Sequence, residues 1–114
     1  MTENTRAETT RPTTLVRRDG SAIRAMVVDD EAALADLLTM ALRYEGWDVK
    51  AAMLGRDALA LVREFRPDVI VLDIMLPDID GLEVLRRLRA DGFDGPVLFL
   101  TAKDSVRCTW YAGR

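Results

Sequence analysis

Three apolar runs in this 114-residue chain stop at polar groups, and those groups are its candidates for chemistry. Val69-Ile70-Val71-Leu72 stops at Asp73, Ile23 to Val28 stops at Asp29-Asp30-Glu31, and Val97 to Leu100 stops at the hydroxyl of Thr101. If the runs are strands of one parallel sheet, their carboxyl ends share the edge where open α/β sheets bind ligands. Three carboxylates gathered within a few ångströms repel and raise one another's pKa unless a cation lies among them. Hard oxygen donors without His or Cys suit Mg²⁺, which takes few protein carboxylates and keeps waters and phosphate oxygens as its other ligands. The chemistry these residues fit is the Mg²⁺-assisted handling of a phosphoryl group. Each has a simpler reading when taken alone: Asp29 to Glu31 as a helix cap and first turn, Asp73 as a turn residue, Thr101 as a strand-end hydroxyl.

The elements that must position them alternate strand and helix. Four consecutive apolar residues before Asp73, mostly β-branched, fit a strand buried on both faces. From Glu31, the residues Leu34, Leu37, Leu38, Ala41 and Leu42 predict one face of a helix that Gly46 stops. Trp47 to Ala52 reads as a second strand, with Gly55 in the connection beyond it. Ala58, Leu61, Val62 and Phe65 mark a second helix ended by Pro67, and Leu82, Val84, Leu85 and Leu88 a third. Arg86, Arg87 and Arg89 fall on that third helix's solvated side. Pro77 and Gly81 specify the turn after Asp73, Gly81 through a close approach or a positive φ. Alternation throughout predicts an α/β doubly wound parallel sheet with right-handed crossovers and helices on both faces.

Composition removes several function classes. The chain has no His, which excludes histidine-dependent triads, a phosphohistidine carrier and His-ligated metal sites. A single Cys108 excludes an internal disulfide framework. Net charge of -3 is too mildly acidic to suggest nucleic-acid binding. No apolar run reaches the length of a membrane span and the polar amino terminus lacks a secretion-signal core, so a soluble, cytoplasmic domain is expected. Residues 1–21 read as a disordered leader, 22–106 as the folded unit and 107–114 as a tail.

Val27-Val28-Asp29-Asp30-Glu31, Leu72-Asp73-Ile74-Met75-Leu76-Pro77 with Asp80-Gly81, and Leu100-Thr101-Ala102 together resemble the receiver domain of bacterial two-component response regulators. The turn and the Leu-Thr-Ala ending look most like regulators of the winged-helix type. The resemblance implies a flavodoxin-like receiver fold. It implies that Asp73 is the phosphoacceptor for a sensor histidine kinase, forming an acyl phosphate. Asp30 would ligate Mg²⁺ directly, Asp29 through water and Met75 through its backbone carbonyl, with Asp73 itself completing the set. Thr101 would hydrogen-bond a phosphoryl oxygen and act as the switch. Contact with DNA would come only through an output domain that this chain lacks.

After Ser105-Val106 the likeness stops. A receiver would continue with a fourth helix, a fifth strand ending in Lys-Pro and a fifth helix; Arg107 to Arg114 resemble none of these. The expectation is an incomplete receiver, ended by a frame shift, a truncated reading frame or excision as a fragment, without the family's phosphate-binding lysine, because Lys103 follows Thr101 too closely. Val97 to Leu100 would then be an open edge strand inviting self-association. Two other readings stand beside the signalling one. The chain could be an inert decoy that docks a kinase without switching. It could instead be an aspartate-nucleophile phosphohydrolase, which Met75 disfavours because such enzymes resemble a pattern with a second acid there; enzymatic turnover is not expected.

Overall fold

Strands that are apolar at every position need cover on both faces, and this requirement shapes the chain. The computed structural model describes residues 15–100 and the backbone of 108–111. Its strands are β1 (Arg24–Val28), β2 (Asp48–Ala52), β3 (Val69–Asp73), β4 (Val97–Leu100) and β5 (Cys108–Tyr111); its helices are α1 (Ala32–Tyr44), α2 (Gly55–Phe65) and α3 (Gly81–Ala90). They form one sheet in the order β2-β1-β3-β4-β5. The first four strands are parallel, as expected for a flavodoxin-like fold.

Alternation along each strand divides the core. Met26, Val28, Ile70, Leu72, Val97 and Phe99 pack with Ala58 of α2 and with Val84, Leu85 and Leu88 of α3. On the other face Ala25, Val27, Val49, Val71 and Leu100 cluster with Ala35, and Leu34, Leu38 and Leu42 of α1 pack against them. Leu37 and Ala41, expected on the buried face of α1, are exposed. The helix meets the sheet along a narrow row spaced by four residues, and among the described residues no second helix packs on that face to cover its flank.

Two further expectations are corrected. Arg89 leaves the solvated face: its Nη1 donates to the carbonyls of Phe93 (2.9 Å) and Gly95 (2.8 Å), and the guanidinium lies 5.5 Å from the Phe93 ring centroid. It closes the loop into β4, while Arg86 and Arg87 stay outside, paired with Glu83. Val97 to Leu100, expected as an open edge, is covered by β5, which runs antiparallel to it with Val97 opposite Tyr111 and Leu100 opposite Cys108. A parallel fifth strand would need a crossover of roughly a dozen residues, but an antiparallel one needs only a short turn-back. The residues between Leu100 and Cys108 suffice for that. Self-association through the β4 edge therefore loses its open strand.

Residues 1–14 of the expected leader lie outside the described residues. Residues 15–22 fold back in a turn, with a bridge between Val16 and Ala22 and hydrogen bonds of 2.9 Å from Arg17 N–H to the Ser21 carbonyl and from Gly20 N–H to the Arg17 carbonyl. Among the described residues no helix is long and apolar enough to cross a membrane.

Leu72 is fully buried and Leu37 is 61% exposed. Leu72→Ala should lower the free energy of unfolding in urea by about 2–5 kcal/mol. Leu37→Ala should change it by less than about 0.5 kcal/mol. On α3, hydrogen bonds from Arg86 and then Arg87 hold the Glu83 carboxyl down to about 2 from an ordinary 4.5. A depressed carboxyl contributes stability above its unfolded pKa, so this contribution is complete at neutral pH and is lost as pH falls from 4.5 towards 2. A carboxyl NMR titration of Glu83 should show the low midpoint, and Arg86→Ala should raise it.

Candidate functional site

Parallel register brings the acids together. Val28 pairs with Leu72, so the next residues, Asp29 and Asp73, stand side by side on neighbouring strands spaced about 4.8 Å apart. Both continue the rows of Val27 and Val71, which face α1. The ladder runs past the strand ends: Asp29 N–H donates to the Ala52 carbonyl (3.1 Å) and Ile74 N–H to the Leu100 carbonyl (3.3 Å). Each acid therefore rises from backbone that is hydrogen-bonded into the sheet.

Asp29 and Asp73 are buried, at 1% and 2% exposure, and Asp30 is half-buried. One carboxylate oxygen from each of the three lies within 4.8 Å of the others. Local hydrogen bonds orient the two buried groups: Glu31 N–H donates to Asp29 Oδ1 (2.8 Å) and Met75 N–H to Asp73 Oδ1 (3.0 Å). Three close carboxylates are a donor set for a hard divalent cation, and the fit to Mg²⁺ is good: oxygen ligands only, few in number, partly open to water on the Asp30 side. Among the described residues this is the one acidic group close enough to hold a metal ion.

The segment after β3 closes over its own start. Gly81 N–H donates to the Ile74 carbonyl (2.8 Å), and a Cβ at Gly81 would stand 2.5 Å from the Asp73 carbonyl oxygen and 2.7 Å from Ile74 Cα. The glycine is required by close approach, and its φ is not positive. Asp80 caps α3, its Oδ1 accepting from Leu82 N–H at 2.7 Å. Asp78 reaches across to α2, where its two oxygens accept from Gly55 N–H (2.8 Å) and Arg56 N–H (3.0 Å). The Arg56 amide foremost, with help from Gly55, holds the Asp78 carboxyl below the usual carboxylate range.

The structure thus gathers Asp29, Asp30 and Asp73 at one edge, with Met75 beside them on the loop. Thr101 lies outside the described residues, as does Lys103. Sequence reasoning passed over Asp78. The signal available was faint: α2 begins after Leu54, which offers no capping side chain, so its cap had to come from elsewhere.

A family model described as the response regulator receiver domain matches residues 25–110. The chain is 60% identical over 90 residues to the transcriptional regulatory protein TrcR of Mycobacterium tuberculosis, covering 79% of this chain and 35% of that one. It is 50% identical over 84 residues to the response regulator MprA of Mycolicibacterium vanbaalenii, covering 74% of this chain and 36% of the relative. It therefore spans about a third of the length of these relatives. Among solved structures, the receiver domain of the Francisella response regulator 1452 superposes with a TM-score of 0.67 at 35% identity, over 73% of this chain and 69% of that one.

Because the three atoms crowding a Gly81 Cβ all belong to backbone, none can swing aside. Gly81→Ala should destabilise the fold by about 1–3 kcal/mol in urea unfolding. It should also shift the backbone resonances of Asp73 and Ile74 more than those of β2.

Proposed function

The chain belongs to the response regulator receiver-domain family, and on that premise we propose that it accepts a phosphoryl group on Asp73 from the phosphohistidine of a sensor kinase. Mg²⁺ is the cofactor, and the event serves transcriptional control within a longer regulator of the kind its relatives are named for. The observation that carries this reading is the meeting of Asp29, Asp30 and Asp73 oxygens within 4.8 Å at the carboxyl edge of the sheet.

Asp73 is the nucleophile. Its backbone is fixed by β3 and one carboxylate oxygen by the Met75 amide, so its approach to phosphorus is set before the donor arrives. Attack forms an oxygen–phosphorus bond and breaks the phosphorus–nitrogen bond of the phosphohistidine. The electron pair of that bond stays on the imidazole, and the product is an acyl phosphate. Asp30 would hold the ion directly and Asp29 through water, and the Met75 carbonyl and Asp73 would complete the protein's donors. Bound there, Mg²⁺ would supply charge neutralisation for a carboxylate facing a phosphate, the main demand of phosphoryl transfer. Thr101, next in chain after β4, donates to a phosphoryl oxygen and reports its arrival. DNA is reached only through an output domain, and the site of action is the cytoplasm.

Incubation with Mg²⁺ and acetyl phosphate should add one phosphoryl mass to the intact protein, and Asp73→Ala should remove the adduct. Chelation of Mg²⁺ should abolish its formation, and Asp30→Asn should weaken Mg²⁺ binding by tenfold or more, about 1.4 kcal/mol. An adduct that persists in Asp73→Ala would place the phosphoacceptor elsewhere and overturn the assignment.

A further inference from the structure

Helix α2 begins without a capping side chain of its own, since Leu54 stands at the N-cap. Its first two amides are satisfied instead by a residue more than twenty positions later, Asp78, whose oxygens accept from Gly55 N–H at 2.8 Å and Arg56 N–H at 3.0 Å. A carboxylate at a helix N-terminus is favoured both by the hydrogen bonds and by the helix dipole. The contact is therefore directional as well as attractive. It also ties α2 to the middle of the loop that starts at Asp73.

That loop is otherwise closed at its base, where Gly81 N–H meets the Ile74 carbonyl. Ile74, Leu76 and Ile79 pack against the core and set how deep it sits. Apolar packing fixes depth but not rotation. The Met75 amide, which must point at Asp73 Oδ1, lies between the closed base and the anchored middle. Gly55 matters on the helix side, because a Cβ there would stand 2.9 Å from Val84 Cγ2 and 3.1 Å from Ile79 Cβ, and would push the helix start off the loop.

We propose that Asp78 is a positioning residue for Asp73: by capping α2 it fixes the loop rotation that aims the Met75 amide at the Asp73 carboxylate. The proposal rests on Asp73 being the phosphoacceptor, and its test separates the two. In metal-free protein, Asp78→Ala should speed hydrogen exchange of the Met75 amide by roughly tenfold or more, with the Val27 and Val71 amides unchanged. With Mg²⁺ and acetyl phosphate, the same variant should form the Asp73 adduct roughly tenfold more slowly, as misplacement of a reacting group predicts. Asp78→Asn keeps one acceptor oxygen and should fall between parent and Asp78→Ala in both measurements.

Unchanged exchange at Met75, or an unchanged rate of adduct formation, would overturn the positioning role. Equal acceleration at Val27 and Val71 would also overturn it, by reducing Asp78 to a general stabiliser. A parent that forms no adduct would sink the phosphoacceptor reading and with it any role of Asp78 in transfer, while the exchange data would still show whether the cap orients the loop.

Discussion

Repulsion among Asp29, Asp30 and Asp73 is the force against which the rest of this molecule is arranged. Carboxylates less than 5 Å apart in a partly buried site repel when ionised, and only a fixed backbone keeps them from moving apart. The parallel register does the holding, placing the residues after Val28 and Leu72 side by side, and the ladder continues one residue past each strand. Apolar burial on both faces supplies the opposing free energy, from the α2/α3 cluster on one side and the α1 cluster on the other. The same geometry is a donor set that a hard divalent cation could use.

The loop after Asp73 solves a second problem, how to present a carboxylate at the end of a strand without letting it wander. Gly81 allows the loop's exit to touch its entrance, and Asp80 starts α3 at once with its own cap. Between them, Asp78 borrows the start of another helix as an anchor. Asp29, Asp73, Asp78 and Asp80 each accept from backbone N–H, a bond type that tolerates side-chain variation on the donor's part and fixes direction well.

Most of the fold was legible because its signals are local. Val69 to Leu72 reads as a doubly buried strand, Leu34, Leu38 and Leu42 as a helix row, and Gly46, at φ 93°, as the helix stop. The acidic site followed once parallel order was inferred, since sequence separation does not matter at a shared edge. Features that depend on distant partners were not legible. Leu37 is apolar and in phase with the row, yet exposed, because phase says which direction a side chain takes and not whether anything lies there. Arg89 resembles its neighbours Arg86 and Arg87 until the loop carbonyls of Phe93 and Gly95 come within reach. Strand β5 was missed because a parallel partner was assumed for β4, and an antiparallel one obeys a looser length rule.

Reversing that last strand changes which of its flanks borders the acids. In a parallel strand beside β4 the residue that follows would emerge at the Asp73 pole. Here Tyr111 lies opposite Val97, so the chain leaves β5 at the far pole, about 10 Å of strand from the Leu100 end. A side chain placed after such a strand stands away from the acids, where one placed after a parallel strand would stand beside them. The polarity of a single edge strand, independent of its composition, decides which of its two flanks stands at the acidic edge.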